Sequence, residues 1–447
     1  MERCVKINLL NTLQIESMKI VIIGGGAAGT RAAIEIRKRD RNSEILIINE
    51  KNYREYSPCG MPFVLSGDVK NFEALQTLNE KFYEKMKINL ILDKKVIGID
   101  PENKKIIFDD NEMSYDKLIL ATGSYAFVPP IKGVDSENVI VFKDIDDAKK
   151  IYEKMKKIKK AAVIGAGLIG LETAYAFAKN NIKVTVVEML DRVLPVMLDK
   201  DMAEIVKKHL EDKGIEIYLN EKVLGIGEKV RTDKREIEYD LVVISSGVRA
   251  NIDLARKAGI ETEFGIKVNK KMETNIKDVY ACGDCVECID FITGKPIMSQ
   301  LATTAVRQAK VLAENITGGD ANFTPVLNTS ITELFGLEIG TTGLTVARAE
   351  NEGIKVITGK YRGKTRPEYM EGEDIVVKIV ADEKGKIIGS QMIGKSLVGR
   401  IDAMCLAILN KMNVKDLANI EYCYAPPVSQ EFEPMYVACE FVVKKLR

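Results

Sequence analysis

The chain has 447 residues, 46% of them hydrophobic, and this length is sufficient for two or three domains that each bury a core. With 66 basic and 65 acidic side chains, the net charge of +1 provides no overall field that attracts nucleic acid or an anionic membrane. Eight cysteines do not form a disulfide scaffold in so long a chain, and no apolar run approaches the roughly 20 residues that span a bilayer, so a cytoplasmic protein is expected.

The first predicted unit is a strand, a glycine turn and a helix over residues 19–40. Residues 1–17 precede it, either as a short extension or because Met18 is the true start. The glycine spacing is that of a dinucleotide site, in which the second glycine lets the backbone approach a pyrophosphate and the third lets the helix pack on the strand. An acid follows about 20 residues later, where it can accept hydrogen bonds from a ribose. The predicted contacts are Gly24, Gly25, Gly26, Ala27, Ala28, Gly29 and Glu50.

A lone cysteine, Cys59, comes next, between Pro58 and Gly60. Neither Arg54 nor Val64 is a cysteine, so no redox disulfide can form at the CxxxxC spacing. A lone thiol must instead cycle through a mixed disulfide with an outside thiol or through a sulfenic acid. Its attack requires the thiolate, and we expect the helix that follows to lower its pKa. The alternative is a buried structural cysteine.

A second strand, glycine turn and helix begins at residue 161, after strands predicted over 104–108 and 117–120 and a break at Pro129-Pro130. The same spacing predicts a second dinucleotide site, with an acid again closing the following strand. Because a carboxylate pairs with a ribose hydroxyl and repels a 2′-phosphate, this acid favours NADH, while the nearby Arg192 leaves NADPH open. The predicted contacts are Gly165, Gly167, Leu168, Ile169, Gly170 and Glu188.

Residues 278–284 form a strand that ends in Gly283 and Asp284. The aspartate is suited either to the ribityl and phosphate end of a flavin or to an ordinary helix cap. Cys282, Cys285 and Cys288 spell CxxCxxC, but no fourth cysteine follows at a short spacing, so we predict no metal site.

These landmarks, in this order, resemble the pyridine nucleotide:disulfide oxidoreductases, and Cys59 resembles the redox cysteine of the single-cysteine branch, which includes coenzyme A disulfide reductases and NADH oxidases. The Tyr424-Ala425-Pro426-Pro427 run matches a motif of the same branch. The resemblance implies an α/β fold with two Rossmann-like domains, for FAD and NAD, and an α+β C-terminal dimerisation domain. The implied boundaries are 18–125 and 245–325 for the FAD domain, 126–244 for the NAD domain and 326–447 for the dimerisation domain.

The resemblance also implies the site residues. Cys59 is the catalytic thiol, and Tyr424 and Tyr369 reach it from the partner subunit of a homodimer; the alternative is that both tyrosines are ordinary interface aromatics. Many relatives that act on oxygen or peroxide carry a histidine in the first glycine turn, whereas the only histidine here is His209. The further cofactor contacts implied, besides Cys59, are Val96, Ala121, Thr122, Gly123, Gly247, Asp284, Leu301, Ala302 and Thr303.

The resulting hypothesis is an FAD-dependent NAD(P)H oxidoreductase that reduces coenzyme A disulfide or a similar small disulfide or polysulfide. One alternative is an NADH oxidase that reduces dioxygen to water or peroxide. Another is a reductase of a protein electron carrier such as rubredoxin, which needs no cysteine. A non-catalytic nucleotide-binding regulator is the last alternative.

Overall fold

The computed structural model describes residues 17–109 and 111–447. Residues 1–16, for which the sequence suggests either a short extension or a start at Met18, lie outside the described residues. The first part of the chain builds most of a parallel sheet and carries the Cys59 segment. Short 3₁₀ turns cover Pro58–Gly60 and Phe72–Leu75. The other elements are β1 (Lys19–Ile23), α1 (Ala27–Arg39), β2 (Glu44–Ile48), α2 (Met61–Leu65), α3 (Glu80–Lys85), β3 (Ile88–Ile91), β4 (Gly98–Asp100), β5 (Lys105–Ile107), β6 (Glu112–Ser114), β7 (Lys117–Leu120) and β8 (Ser124–Ala126).

The middle of the chain builds a second parallel sheet. Its elements are β9 (Val139–Val141), α4 (Ile145–Met155), β10 (Lys160–Ile164), α5 (Leu168–Lys179), β11 (Lys183–Val187), α6 (Lys200–Asp212), β12 (Ile215–Tyr218), β13 (Val223–Ile226), β14 (Val230–Thr232), β15 (Glu236–Ile237), β16 (Leu241–Ile244) and β17 (Val248–Ala250). The strand order is β12-β11-β10-β16-β9. The central strands are largely apolar because both faces of the sheet are covered. Helices α4, α5 and α6 pack on one face, and the small antiparallel sheet β13-β14-β15 packs on the other.

The chain then returns to the first sheet. The elements are α7 (Asp253–Lys257), β18 (Val279–Ala281), β19 (Glu287–Ile289), β20 (Pro296–Met298) and α8 (Ala302–Ile316). Strand β18 pairs with β7 and completes the order β18-β7-β1-β2-β3, and α8 packs beside α1. The antiparallel pair β8 and β17 connects the two sheets. The first sheet is therefore built from two chain segments, one before and one after the second sheet in the sequence.

The last part of the chain is an antiparallel sheet with helices. The elements are β21 (Ser330–Leu334), β22 (Leu337–Gly343), α9 (Val346–Asn351), β23 (Val356–Lys364), a 3₁₀ turn (Glu368–Met370), β24 (Asp374–Asp382), β25 (Ile387–Gly394), α10 (Val398–Leu409), α11 (Val414–Leu417) and α12 (Pro434–Lys445). The strand order is β21-β22-β25-β24-β23. This sheet, α10 and α12 share a core that includes Val377, Met404 and Val442.

The predicted architecture of two Rossmann-like units and an α+β unit is confirmed. The strand predicted over 104–108 is shorter, covering Lys105–Ile107. The domain boundaries predicted at residues 126, 245 and 326 stay predictions. In residues 17–109 and 111–447, no helix combines the length and apolar character that crossing a membrane requires.

Candidate functional site

One cavity of about 2680 Å³ contacts both parallel sheets, the Cys59 segment and the last sheet. It collects the carboxyl ends of strands from two doubly wound sheets, where ligands bind in such folds. Of the predicted cofactor residues, only Gly29 and Gly170 do not line it. Tyr369 and Tyr424 lie elsewhere.

The three glycines of the first turn have different surroundings. A Cβ on Gly24 would overlap the carbonyl oxygen of Ala121, and a Cβ on Gly29 would overlap that of Gly24. Gly24 also has φ +112°, which L side chains rarely adopt. A Cβ on Gly26, in contrast, would meet no protein atom within 4 Å. The first and third glycines thus permit close packing of α1, whereas the second opens onto the cavity.

The second turn repeats this arrangement. A Cβ on Gly165 would lie 2.5 Å from the carbonyl oxygen of Ser245, and one on Gly170 would overlap the carbonyl oxygen of Gly165. A Cβ on Gly167 would meet no protein atom within 4 Å. Helices α1 and α5 begin directly after Gly26 and Gly167, and neither has a side-chain cap. Free helix N–H groups therefore face the same cavity from two sides, as a pyrophosphate requires.

The two predicted ribose acids differ in their surroundings. Glu188 is buried, and its carboxylate accepts hydrogen bonds from Ala166 N–H and Leu190 N–H, both at 2.8 Å. Glu50 is exposed, and its Oε1 lies 2.9 Å from Lys95 Nζ. Both acids line the cavity. The Glu188 carboxylate is thus held in one orientation by the backbone, whereas the Glu50 carboxylate forms a solvent-exposed ion pair.

Cys59 lies in the 3₁₀ turn that precedes α2 and is exposed to the cavity. The cavity that Cys59 faces is itself enclosed by protein, so the thiol is partly shielded from bulk water. This partial burial is the largest cause of the raised pKa of the Cys59 thiol. The nearby carboxylates of Glu172 and Asp284 raise the pKa further, while Lys143 opposes them. The expected lowering by the following helix is wrong for this chain, because α2 has only five residues and two carboxylates act against it.

Of the polar groups that act on this thiol or are bonded to those that do, the sequence predicted Asp284 as a cofactor contact but missed Lys143, Ser124 and Glu172. Lys143 follows β9, and its Nζ donates to Ser124 Oγ at 2.9 Å. Ser124 Oγ donates in turn to Asp284 Oδ2 at 2.9 Å. Glu172 lies on α5, accepts from Thr332 Oγ1 at 2.8 Å, and has a pKa raised by burial. The sequence contains one signal for these residues, which is their position. Lys143 follows a parallel strand, and Glu172 lies one turn into the helix after a glycine turn, where residues near a bound nucleotide are common.

Tyr369 and Tyr424 are exposed on the last part of the chain, at 72% and 51% of their surface. The two phenols are neighbours, and the interaction with Tyr369 raises the pKa of Tyr424. Tyr369 belongs to the 3₁₀ turn Glu368–Met370, and Tyr424 lies between α11 and α12. The two phenols therefore form one exposed pair that is available to another molecule, and their catalytic role stays a prediction.

The CxxCxxC run is buried beside the first sheet. The Cys285 thiol donates to the carbonyl oxygen of Cys282, and Gln308 Nε2 donates to Cys288 Sγ, each at 3.3 Å. Across the described residues, no group of three or more His, Cys, Asp or Glu side chains is arranged to hold a metal ion. His209 lies on α6, away from the cavity, with its Nε2 at 3.2 Å from the carbonyl oxygen of Leu334.

The cavity fits two dinucleotides. It offers two open glycines, two uncapped helix N-termini and a third, at Ala302, where α8 begins. Four of its lining residues, Arg54, Ser245, Gln300 and Asn328, have a buried polar side-chain atom without a partner among the described residues. Such atoms need a hydrogen-bonding ligand or water. FAD is expected to occupy the part lined by Gly26 and Asp284, and the nicotinamide dinucleotide the part lined by Gly167 and Glu188.

Comparison with known proteins agrees with the interpretation of the cavity as a site for two dinucleotides. Residues 18–309 match the family model described as pyridine nucleotide-disulphide oxidoreductase, and residues 330–436 match its dimerisation domain. The chain is 43% identical to an NADH oxidase of Methanocaldococcus jannaschii over 96% of this chain and 99% of the relative. It is 34% identical to a CoA-dependent NAD(P)H sulfur oxidoreductase of Pyrococcus abyssi, over 94% and 96%. The structure of a NAD-dependent persulfide reductase from A. fulgidus superposes with a TM-score of 0.93 at 34% identity, covering 96% of this chain and 83% of that one.

Proposed function

Since the chain belongs to the pyridine nucleotide-disulphide oxidoreductase family, we propose that it uses Cys59 to reduce coenzyme A disulfide or a related small disulfide or polysulfide. It is an FAD-dependent enzyme that oxidises NAD(P)H, as its family and its relatives are. The choice of sulfur substrate rests on one observation: Cys59 is exposed in the wall of the cavity that both glycine turns enter. A small disulfide can therefore reach the thiol from the cavity.

The proposed chemistry of Cys59 has two halves. Its thiolate attacks one sulfur of the disulfide, the sulfur–sulfur bond breaks, and one substrate thiolate leaves and takes up a proton. Cys59 is left in a mixed disulfide with the other half of the substrate. Two electrons that originate in NAD(P)H, carried by FAD when it is bound, cleave this second bond. The enzyme then regains the Cys59 thiolate and releases the second thiol, so NADH, one proton and one disulfide give NAD⁺ and two thiols.

The remaining site residues would bind and orient the two dinucleotides. The N–H groups behind Gly26 and Gly167 would hold the two pyrophosphates. The backbone-fixed carboxylate of Glu188 would accept hydrogen bonds from a ribose and disfavour a 2′-phosphate, so we propose NADH as the preferred donor. Ser124 would hold Asp284 in place beside the ribityl chain of FAD.

We also propose a homodimer in which the partner subunit's Tyr424 donates a hydrogen bond to the departing substrate thiolate, which takes its proton from water. The dimerisation domain and the exposed, paired phenols support this arrangement. Subunit complementation tests it. Tyr424→Phe and Cys59→Ser should each lower disulfide turnover by about 10²-fold or more, while mixed dimers of the two should recover up to half of the parent activity. Recovery fails if the tyrosine serves its own subunit.

Reduction of dioxygen is the second candidate function. The favouring observation is the 43% identity to an NADH oxidase over 96% of the chain. A sulfenic acid on Cys59 would be the intermediate if peroxide were reduced further to water. The absence of a histidine among the residues that line the described cavity favours the disulfide substrate over this alternative.

One experiment separates the candidates. Under anaerobic conditions, NADH oxidation should require added coenzyme A disulfide and should stop in Cys59→Ser, while reduction of an artificial dye persists. Cys405→Ser is the matched control, because Cys405 is a second free thiol that lines the cavity but belongs to α10. If Cys59→Ser still turns over coenzyme A disulfide, the proposed thiol chemistry is wrong. If only dioxygen supports NADH oxidation in the parent enzyme, the oxidase is the correct function.

A further inference from the structure

The stretch that carries Cys59, residues 56–68, belongs to the first part of the chain but packs in the core of the second parallel sheet. Met61, Val64 and Leu65 of α2 are buried in one core with side chains of α4 and α5. Helix α2 contacts both of these helices directly. The thiol-bearing stretch is therefore supported by the unit that carries the second glycine turn.

The end of α2 is bound by the last turn of α5. Asn180 follows this turn, and its Nδ2 donates to the carbonyl oxygen of Leu65, the last residue of α2, at 3.0 Å. Three residues further on, Asp68 accepts from the hydroxyl of Tyr175 at 2.8 Å and is paired with Lys179. Side chains from one end of α5 thus hold the chain at two points beyond the thiol.

The other end of the stretch is bound by α4. Ile145 is the first residue of α4, and its N–H donates to the hydroxyl of Tyr56, three residues before Cys59, at 3.1 Å. Within the stretch, Gly60 N–H donates to the carbonyl oxygen of Ser57 at 3.1 Å, and the 3₁₀ turn runs directly into α2. Because the turn and the helix are continuous, a displacement of α2 also displaces the thiol.

Helix α5 therefore supports two parts of the site. It begins directly after Gly167, where the pyrophosphate of the nicotinamide dinucleotide would be held, and it ends at the side chains that bind α2. A helix of 12 residues separates these two ends by about 18 Å. The contacts at its last turn can thus be changed without touching the glycine turn.

We propose that Tyr175 and Asn180 are positioning residues of the reaction, which hold α2 against α5 and thereby fix the Cys59 sulfur in the cavity. Neither of these two side chains lines the described cavity, so both act through α2. The proposal deepens the function proposed above and rests on Cys59 being the attacking thiol.

The test needs a control that separates the contact with α2 from the contacts within a helix end. Asn180 Nδ2 also donates to the carbonyl oxygen of Ala176, four residues earlier, at 2.8 Å. Asn410 forms the same local bond at the end of α10, to the carbonyl oxygen of Leu406 at 2.8 Å. Asn410→Ala is therefore the matched control, because it removes this local bond and leaves α2 bound.

The first measurement is amide hydrogen exchange of residues 57–66 in the holoenzyme, followed by mass spectrometry. Asn180→Ala and Tyr175→Phe should each speed this exchange about 2- to 10-fold, because one hydrogen bond that holds the stretch closed is lost. Asn410→Ala should leave it unchanged. Since Tyr175→Phe removes only a hydroxyl group, it provides a second route if Asn180→Ala does not fold.

The second measurement separates the two half-reactions in anaerobic stopped flow. Reduction of the bound flavin by NADH should keep the parent rate in both α5 variants, because the second glycine turn lies at the other end of the helix. Reoxidation of the reduced enzyme by coenzyme A disulfide should slow about tenfold, because the attacking sulfur is misplaced.

Unchanged exchange of residues 57–66 in both α5 variants overturns the proposal. So does an equal slowing of the two half-reactions, because the substitutions would then disturb α5 as a whole. Faster exchange with an unchanged rate of reoxidation overturns it as well. Failure of the proposed function is distinguishable: Cys59→Ser would retain disulfide turnover, while the faster exchange in Asn180→Ala would still be seen.

Discussion

The second and third glycines of the first turn should respond to alanine in opposite ways. In Gly26→Ala, the new methyl group meets no protein atom within 4 Å, and the backbone already has φ −78° and ψ −170°, which alanine adopts easily. In Gly29→Ala, the methyl group would overlap the carbonyl oxygen of Gly24 and lie 3.1 Å from Ile22 Cγ2. The first substitution therefore fills space meant for a ligand, and the second fills space already occupied by protein.

The magnitudes follow from these contacts. Overpacking at Gly29 costs about 1–3 kcal/mol, because α1 must move away from β1, and this lowers the melting temperature of a domain of roughly 150–250 residues by about 2–12 °C even without flavin. Gly26→Ala should change the stability of the flavin-free protein by no more than about 0.5 kcal/mol. A clash of about 1–3 kcal/mol with the pyrophosphate should weaken FAD binding about 5- to 150-fold.

The assay is thermal unfolding of each variant after flavin removal, together with titration of FAD by its fluorescence quenching. Gly167→Ala and Gly170→Ala form the matched pair in the second turn, where the same contrast should appear in the Michaelis constant for NADH and in stability. The reasoning is refuted if Gly26→Ala destabilises the flavin-free protein as much as Gly29→Ala. It is also refuted if Gly26→Ala binds FAD as tightly as the parent.

Three further predictions concern charged side chains. Glu188→Gln should raise the ratio of NADPH to NADH efficiency about tenfold, because a repulsive charge and one of two backbone contacts are lost; an unchanged ratio of kcat/KM values would contradict the proposed donor preference. Lys378→Met should destabilise the protein by about 3 kcal/mol in thermal unfolding, because it leaves the buried carboxylate of Asp199 without its cation; Lys378 Nζ lies 2.9 Å from Asp199 Oδ2. Adding Asp199→Asn should recover part of the lost stability. An unchanged stability of Lys378→Met would contradict the argument. The hydrogen bond with Lys179 lowers the pKa of Asp68 to about 2, below its unfolded value of about 4. The stability that Asp68 contributes is therefore full above about pH 4 and is lost as the pH falls through about 2. In denaturant unfolding, the difference between the parent and Asp68→Asn should be largest at about pH 7 and should shrink steadily from about pH 4 to about pH 2, and a difference that grows on acidification would contradict this sign.

Local sequence was sufficient to predict the two glycine turns and the strands that precede them. The runs before Gly24 and Gly165 are apolar, buried and four residues long, and a turn that requires glycine follows each. Such signals involve residues close together in the chain. The two turns, Cys59 and Asp284 could therefore be assigned to one nucleotide enzyme before any contact was known.

The electrostatic environment of Cys59 could not be predicted in the same way. Lys143, Glu172 and Asp284 are 84, 113 and 225 positions away from Cys59, and only the pairing of β9 and β18 with their sheets brings them together. The expected effect of the nearest helix was a local argument, and it gave the wrong direction for the thiol. Long-range charges and partial burial outweigh a helix of five residues.

The raised pKa of the Cys59 thiol has a consequence for the choice of oxidant. Because oxidation by peroxide and attack on a disulfide both require the thiolate, an environment that favours the neutral thiol slows both reactions in the resting enzyme. The cost to disulfide reduction is moderated if the site binds its substrate next to the thiol, since a bound disulfide raises the effective concentration of the reacting sulfur. Dissolved peroxide gains no such advantage in a cavity without a histidine among its described lining residues. Burial, together with the carboxylates of Glu172 and Asp284, makes Cys59 a weaker acid, so replacing Glu172 with glutamine should increase sulfenic acid formation on Cys59 when the protein is treated with peroxide.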